Sequence, residues 1–137
     1  MKSTYLSLCK AAEKISKNAY APYSGCFVGA ALLTKTNKVY TGVNIENASF
    51  PAGICAERSA FCSAISDNER EFEAIAIAGG KGGKFSPDFM PCGICRQFIS
   101  EFVSNDFKIL ICVDKGYKEY TLSELLPRSF KGSEVKK

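Results

Sequence analysis

The sequence contains no histidine and no tryptophan in its 137 residues. Without histidine, a Ser/His/Asp triad, a Cys/His dyad, an H-E-x-x-H metal helix and an imidazole general base are all excluded. Any catalysis must therefore depend on thiolates, carboxylates, hydroxyls or amines. Thiolates are available, because the chain has seven cysteines.

Long apolar runs are also missing: no stretch is long enough to span a membrane, and the first residues lack the apolar core of a signal peptide. An odd number of cysteines without a secretory signal is typical of a reducing compartment, where thiols stay free or bind metal. We expect a cytoplasmic protein with no membrane partner. The formal charge of +4 is small and the lysines are scattered, so we also expect no nucleic-acid partner.

The length and composition predict one domain over residues 1–137, with a short basic tail from about residue 131. Hydrophobic periodicity and turn residues predict the element order α-β-β-α-β-α-β-β-α. This order predicts an α/β fold, with a mixed five-stranded sheet flanked by helices. The glycine-dense segment 79–84 is predicted to be a flexible loop. The predicted helices are 4–18, 54–65, 91–103 and 123–126, and the predicted strands are 27–33, 39–44, 72–78, 108–113 and 118–121.

Three cysteines have the spacing of a metal site. Cys92 and Cys95 follow Pro91 at a predicted helix start, where residues three apart lie on one face. Alone, this C-x-x-C pair could equally be a redox pair, but Cys55 opens a second helix and supplies a third thiolate. Three protein ligands leave one tetrahedral position open, as in catalytic zinc sites. Among the other cysteines, Cys62 lies too far along the same helix to join Cys55, Cys9 and Cys112 occur in apolar patterns typical of a core, and Cys26 is left open.

The residues after Cys55 complete a candidate catalytic centre. Residues i and i+2 of a helix point apart, so Glu57 can approach the ion only if Cys55 stands at the very start of its helix. In that position a carboxylate can act as the general acid and base that a chain without histidine needs. Three thiolates give a zinc site a net negative charge, which Arg58 could offset by donating to the sulfurs.

The segments Cys55-Ala56-Glu57-Arg58 and Pro91-Cys92-Gly93-Ile94-Cys95-Arg96-Gln97 resemble the zinc signature of the small homotetrameric cytidine deaminases. The resemblance extends over about residues 11–130. It implies a three-layer cytidine-deaminase-like fold, one zinc ion per subunit, and a homo-oligomer, expected to be a tetramer. Shorter stretches also fit this family: Tyr23-Ser24, Val28-Gly29-Ala30-Ala31, Gly42-Val43-Asn44-Ile45-Glu46-Asn47 and Leu125-Leu126-Pro127.

The resemblance implies hydrolytic deamination of free cytidine, and of deoxycytidine, to the uracil nucleoside and ammonia, a reaction of pyrimidine salvage. Glu57 would then move the protons. Asn44 and Glu46, which share a face at a strand end, would bind the ribose, and the backbone of Ala56 would contact the base. Phe130 matches a phenylalanine that members of the family lend to the site of a neighbouring subunit.

Two positions depart from the family pattern. Cys26 stands where the family has a phenylalanine that contacts the base, and Phe27 comes one place late. Since neighbouring strand residues point to opposite faces, Phe27 cannot replace that side chain, and we expect Cys26 to line the substrate site as a small apolar residue. Phe50 stands where the family commonly has a tyrosine, so one possible polar contact is missing.

Other functions fit parts of the pattern. A deaminase of another aminated heterocycle, such as a blasticidin-type antibiotic, would use the same centre, although the Asn44 and Glu46 pair favours a ribose. A structural zinc or redox module, in which the three cysteines only staple the fold, would need no substrate. A deaminase that edits nucleic acids is least favoured, since such enzymes use a histidine ligand and a basic channel.

Overall fold

The computed structural model describes residues 2–136. None of the helices in this range is long and apolar enough to cross a membrane. Short 3-10 turns lie at Phe50–Ala52 and Gly132–Glu134. The helices are α1 (Ser3–Ser16), α2 (Ala56–Ser66), α3 (Gly93–Ser100) and α4 (Leu122–Leu125), and the strands are β1 (Phe27–Thr34), β2 (Val39–Val43), β3 (Phe72–Lys81), β4 (Lys84–Phe85), β5 (Lys108–Val113) and β6 (Gly116–Thr121).

The strands form one mixed sheet in the order β2-β1-β3-β5-β6. The pair β3 and β5 is parallel, and the other neighbours along this path are antiparallel. This arrangement confirms the predicted α/β fold with a mixed sheet. The sheet also has a sixth, two-residue strand, β4, which pairs with the end of β3.

The prediction of a loop over residues 79–84 was wrong. Strand β3 continues to Lys81, and the chain reverses through Gly82 and Gly83, both with positive φ, before β4 pairs back onto it. Positive φ at both central residues is the conformation of a two-residue hairpin turn. Glycines lack the side chains that produce an alternating pattern, so the strand could not be recognised from hydrophobicity.

Helices cover both faces of the sheet, which gives three layers. Helix α1 packs on one face, and α2, α3 and α4 lie on the other. Alternating residues of β1 divide between the two cores, with Ala31 and Leu33 on the α1 side and Ala30 and Leu32 on the α2 side. In the α2-side core, the Phe61 ring is surrounded by the rings of Phe72, Phe98, Phe102 and Phe107, with centroids 5.0 to 6.4 Å away.

The backbone of α2 lies almost directly on β2. A Cβ atom placed on Gly42 would be only 2.3 Å from the Ala60 nitrogen and 2.7 Å from the Ala56 oxygen. Only glycine allows this close approach. Gly42 therefore fixes the height of the first turn of α2 above the sheet, and that turn carries the candidate site.

Candidate active site

Two helices begin next to each other, and each begins after a cysteine. Cys55 is the N-cap residue of α2 and Cys92 is the N-cap residue of α3, both with extended backbone conformations. Within the described chain, neither side chain makes the usual capping hydrogen bond to its own helix. The predicted helices started two residues too early for this reason, because an N-cap residue has no helical dihedral angles.

The cysteine side chains turn toward each other instead. The Sγ atoms of Cys55 and Cys92 are 3.9 Å apart, and those of Cys92 and Cys95 are 3.6 Å apart. All three sulfurs lie within 4.8 Å of one another, and no fourth Cys, Asp or Glu of residues 2–136 joins them. Tetrahedral zinc with Zn–S bonds of about 2.3 Å places its sulfurs about 3.8 Å apart. The donor set and spacing therefore fit one zinc ion with a fourth position left for a ligand that is not protein.

The other cysteines lie outside this group. Cys9 and Cys112 are buried in the α1-side core, as predicted, and Cys62 is exposed on α2. Cys26 is partly buried, and its Sγ lies 3.9 Å from the Ser24 carbonyl oxygen.

Arg58 supplies positive charge to the three sulfurs. Its Nη2 lies 3.8 Å from the Cys55 Sγ, and its Nε is buried with no hydrogen-bond partner in residues 2–136. Hydrogen bonds from Cys95, and also from Arg58 and Cys92, lower the pKa of the Cys55 thiol to about 5. Thiolate is the form that coordinates zinc, so this environment favours metal binding.

Glu57 is buried beside the sulfurs, with only 4% of its surface exposed. Because Cys55 is the N-cap residue, Glu57 lies in the first turn of α2, where the two side chains can approach the same point. Burial raises the pKa of Glu57 to about 7, and a hydrogen bond from the Cys95 thiol acts in the opposite direction. A carboxyl group with this pKa can both accept and donate a proton near neutral pH.

A cavity of about 580 Å³ adjoins Cys55 and Arg58. Its volume is in the range of small-molecule sites. The lining comes from Tyr23 and Ser24, from residues of the 44–54 segment, and from Ile94 on α3. Asn44 and Glu46 both belong to this lining, whereas Cys26 does not.

Asn44 is tied to the backbone of β1 and the residue before it. Its Oδ1 accepts from the Val28 N–H at 2.9 Å, and its Nδ2 donates to the Cys26 carbonyl at 2.9 Å. One amide hydrogen and one acceptor position remain for another partner. These two contacts of Asn44 with the backbone could not be predicted from the sequence, because they depend on where the end of β2 places the side chain.

Glu46 is held by the segment that precedes β1. Its Oε1 accepts from the backbone N–H groups of Tyr23 at 2.9 Å and of Ser24 at 3.1 Å, and its Oε2 accepts from the Ser24 hydroxyl. Hydrogen bonds from Ser24 and Tyr23 lower the pKa of Glu46, so it is a carboxylate at neutral pH. The sequence identified Glu46 but not these partners.

The remaining residues named from the sequence lie around the site. Ala56 is fully buried as the first residue of α2. Phe50 is exposed and contacts the Tyr23 ring edge to face, with centroids 5.8 Å apart. Phe130 is 63% exposed beyond α4, and its carbonyl oxygen accepts from Gln97 Nε2 at 3.3 Å.

Arg96, in the segment that also contains Cys92 and Cys95, binds two backbone carbonyls. Its Nε donates to the Pro91 carbonyl at 2.7 Å, and its Nη1 donates to the Leu125 carbonyl at 2.8 Å. It therefore connects the loop in front of Cys92 to the end of α4. A sequence offers little signal for such a bridge, since backbone carbonyls carry no residue identity.

Comparisons with known proteins agree with this geometry. The sequence model described as "Cytidine and deoxycytidylate deaminase zinc-binding region" matches residues 2–111. A cytidine deaminase from Sporosarcina psychrophila is 42% identical over 119 residues, which cover 86% of this chain and 85% of that protein. The crystal structure of cytidine deaminase from Burkholderia pseudomallei superposes with a TM-score of 0.82 at 38% identity, covering 95% of this chain and 100% of that one.

A blasticidin-S deaminase from Bacillus cereus is also similar, with 31% identity over 107 residues that cover 75% of this chain and 76% of that protein. The matched region of the sequence model includes all three cysteines and Glu57. By its sequence, its fold and its cluster of three cysteines, this chain belongs to the cytidine and deoxycytidylate deaminase family of zinc-binding proteins.

Proposed function

We propose that this protein is a zinc-dependent hydrolase that converts cytidine and deoxycytidine to the corresponding uracil nucleosides and ammonia. The observation that carries the proposal is the buried Glu57 carboxyl group beside three converging cysteine sulfurs, next to a cavity of about 580 Å³. Acid/base chemistry and metal chemistry can therefore act at one point.

Cys55, Cys92 and Cys95 would hold one zinc ion per subunit. When bound, zinc lowers the pKa of water toward ~7 and acts as a Lewis acid. Glu57 would accept one proton from the attacking water and deliver it to the ring nitrogen of the base. It would then take the remaining proton of the added hydroxyl and deliver it to the amine, which leaves as ammonia while the carbon keeps a carbonyl oxygen. The carbon that bears the exocyclic amine gains the oxygen of water and loses ammonia. The positive charge of Arg58 would offset part of the negative charge of the three thiolates.

The cavity next to this centre would hold a free pyrimidine nucleoside. Asn44 and Glu46 would bind the sugar through the acceptor and donor positions that their internal hydrogen bonds leave open. The backbone at Ala56, directly after the ligand Cys55, would contact the base. Cys26, which lies outside the cavity lining, would leave more room beside the base than a phenylalanine at this position. Among residues 2–136, Arg58 is the one basic residue that lines the cavity, so the proposed partner is the free nucleoside and not a polynucleotide.

We further propose that residues 1–137 act as a single domain in a cytoplasmic homotetramer of pyrimidine salvage. Large exposed apolar side chains in the segments around the cavity and beyond α4 support assembly, because such groups are often covered by a partner. Phe130 would reach the site of a neighbouring subunit. An active monomer in equilibrium sedimentation would contradict both the assembly and the role of Phe130. These exposed apolar side chains include Tyr23, Ile45, Phe50, Ile94 and Phe130.

The test of the reaction is the ultraviolet absorbance of cytidine incubated with the zinc-loaded protein, which falls as the base is deaminated. Glu57→Gln and Glu57→Ala should keep zinc and the fold but lose turnover by a factor of about 10² to 10⁴. Glu71→Gln, at an exposed position, is the control and should retain turnover. Full activity of the Glu57 variants would contradict the assigned role, and a flat trace with stoichiometric zinc would favour a structural zinc module.

The similarity to a blasticidin-S deaminase supports a second candidate, deamination of an antibiotic with an aminated heterocycle. The same absorbance assay with both substrates separates the two. We expect the larger kcat/KM for cytidine, because Asn44 and Glu46 offer polar groups that fit a sugar. A larger kcat/KM for the antibiotic would reverse this assignment.

A further inference from the structure

Ser24 stands between Glu46 and the backbone of the segment that leads into β1. Its hydroxyl donates to Glu46 Oε2 and accepts from the Cys26 N–H at 3.0 Å. Ser24 also donates its own N–H to Glu46 Oε1 at 3.1 Å. One residue therefore contacts both carboxylate oxygens, and both Ser24 and Glu46 line the cavity.

These bonds leave the two carboxylate oxygens of Glu46 in different states. Oε1 already accepts two backbone N–H groups, from Tyr23 and Ser24. Oε2 accepts only the Ser24 hydroxyl among the described residues. An ionised carboxylate offers about two acceptor positions on each oxygen, so the position still open belongs to Oε2. The donations from Ser24 decide which oxygen is available and hold the plane of the carboxylate.

We propose that Ser24 is a positioning residue for the nucleoside: it orients Glu46 so that Oε2 accepts a hydrogen bond from a hydroxyl of the sugar. This inference rests on the proposed function, in which Glu46 binds the sugar, and it adds the role of Ser24. Ser24 acts through Glu46 and touches no reacting atom.

Ser24 is not needed to hold the segment in place. The Asn44 side chain independently binds the Val28 N–H and the Cys26 carbonyl, each at 2.9 Å. The Tyr23 N–H would continue to donate to Glu46 Oε1. Removal of the hydroxyl alone therefore leaves Glu46 held through Oε1 by the Tyr23 and Ser24 N–H groups, and of the Glu46 contacts it removes only the one that fixes Oε2.

The kinetic test uses Ser24→Ala, Ser24→Thr, Glu46→Gln and the double variant Ser24→Ala/Glu46→Gln, with circular dichroism to verify folding. Ser24→Ala should raise the KM for cytidine roughly tenfold, the effect of losing one hydrogen bond to a charged group, with a much smaller change in kcat. Ser24→Thr keeps the hydroxyl and should recover most of the lost affinity. In the Glu46→Gln background, Ser24→Ala should add little, because Ser24 acts through Glu46. The proposal would be overturned if the KM effects of Ser24→Ala and Glu46→Gln multiply in the double variant, or if Ser24→Ala lowers only kcat.

A second measurement needs no turnover. The ¹³C resonance of the Glu46 side-chain carboxyl is titrated in wild-type protein and in Ser24→Ala. The Ser24 hydrogen bonds stabilise the carboxylate, so their loss should move the Glu46 pKa upward. The other ionisable groups lining the cavity are Tyr23, Cys55 and Arg58, and they are the same in both proteins. If the Glu46 pKa is the same in both proteins, the positioning role is overturned, even when the wild-type protein is active. If the Glu46 pKa differs between them but the wild-type protein does not deaminate cytidine, only the proposed reaction is contradicted.

Discussion

The two faces of the sheet both carry cysteines under helices, but they place the thiols in opposite environments. On the α1 side, Cys9 and Cys112 lie in an apolar core, where Cys112 Sγ is 3.9 Å from the Cys9 carbonyl oxygen. A hydrogen bond with Cys9 and burial raise the pKa of Cys112. On the α2 side, hydrogen bonds from Cys95 and from Arg58 lower the pKa of Cys55 to about 5, while the pKa of Cys95, which donates to Cys55, is raised.

The difference shows that placement, more than residue type, decides what a cysteine does here. Helix N-termini and a guanidinium favour the thiolate, whereas a core of aliphatic and aromatic side chains favours the neutral thiol. The comparison of the two faces extends to the backbone, because a glycine of the sheet lies directly beneath α1 and another lies beneath α2. A Cβ atom on Gly29 would be 2.1 Å from the Ala12 oxygen of α1, as one on Gly42 would meet α2.

The largest effect should come from removing one buried thiol from each face of the sheet and comparing the two variants. Cys95→Ala removes one zinc ligand, so we expect loss of stoichiometric zinc and a fall in turnover on the order of 10³-fold or more. Cys112→Ala, at an equally buried position, should keep zinc and cost about 1 kcal/mol of unfolding free energy. Zinc content by elemental analysis and the cytidine assay measure both. Stoichiometric zinc in Cys95→Ala would contradict the ligand set.

The glycines should separate stability from activity. Gly42→Ala and Gly29→Ala both force a helix away from the sheet, and each should lower the free energy of unfolding by about 1 to 3 kcal/mol. Only Gly42→Ala also shifts the first turn of α2, which bears Glu57, so only it should lower kcat per folded molecule. Denaturant unfolding and kcat at a temperature where both variants are folded test this. Equal kcat values for the two variants would show that the site does not depend on the height of α2.

The smallest effect concerns the arginines at the two ends of α2. Arg58→Ala leaves the thiolates without their nearby positive charge and should lower zinc affinity about 10-fold to 100-fold. Arg70 donates to the carbonyls of Ile65 and Glu69 at the far end of the helix, and Arg70→Ala should leave zinc affinity unchanged. Competition with a chromophoric chelator measures both constants. If Arg58→Ala binds zinc as tightly as the wild-type protein, the charge of Arg58 does not stabilise the bound metal.

Much of the fold could be predicted because the apolar residues of most strands and helices occur at the spacing of those elements. The short apolar run of β1 and the continuous apolar run of β3 identify buried strands, and the spacing of Leu8, Ala11, Ala12 and Ile15 identifies α1. The extension of β3 to Lys81 and the strand β4 were not predicted, since Gly79 and Gly80 have no side chains that could show the alternation of a strand. Boundaries at Cys55 and Cys92 were shifted because a capping cysteine gives none of the usual start signals.

The cysteine cluster was predictable for a different reason: chemistry restricts which residue types can bind zinc, and the C-x-x-C spacing is local. The partners of Asn44, Glu46 and Arg96 were not predictable, because they are backbone groups brought together only by the tertiary fold. The roles given to Cys26 and Phe130 stay predictions.

The bridge made by Arg96 has a practical consequence. Since one guanidinium binds both the Pro91 carbonyl and the Leu125 carbonyl, the last residue of α4 is joined to the turn in front of Cys92. A bulky fusion or a proteolytic cut just after Leu125 would loosen that turn without touching any metal-binding residue.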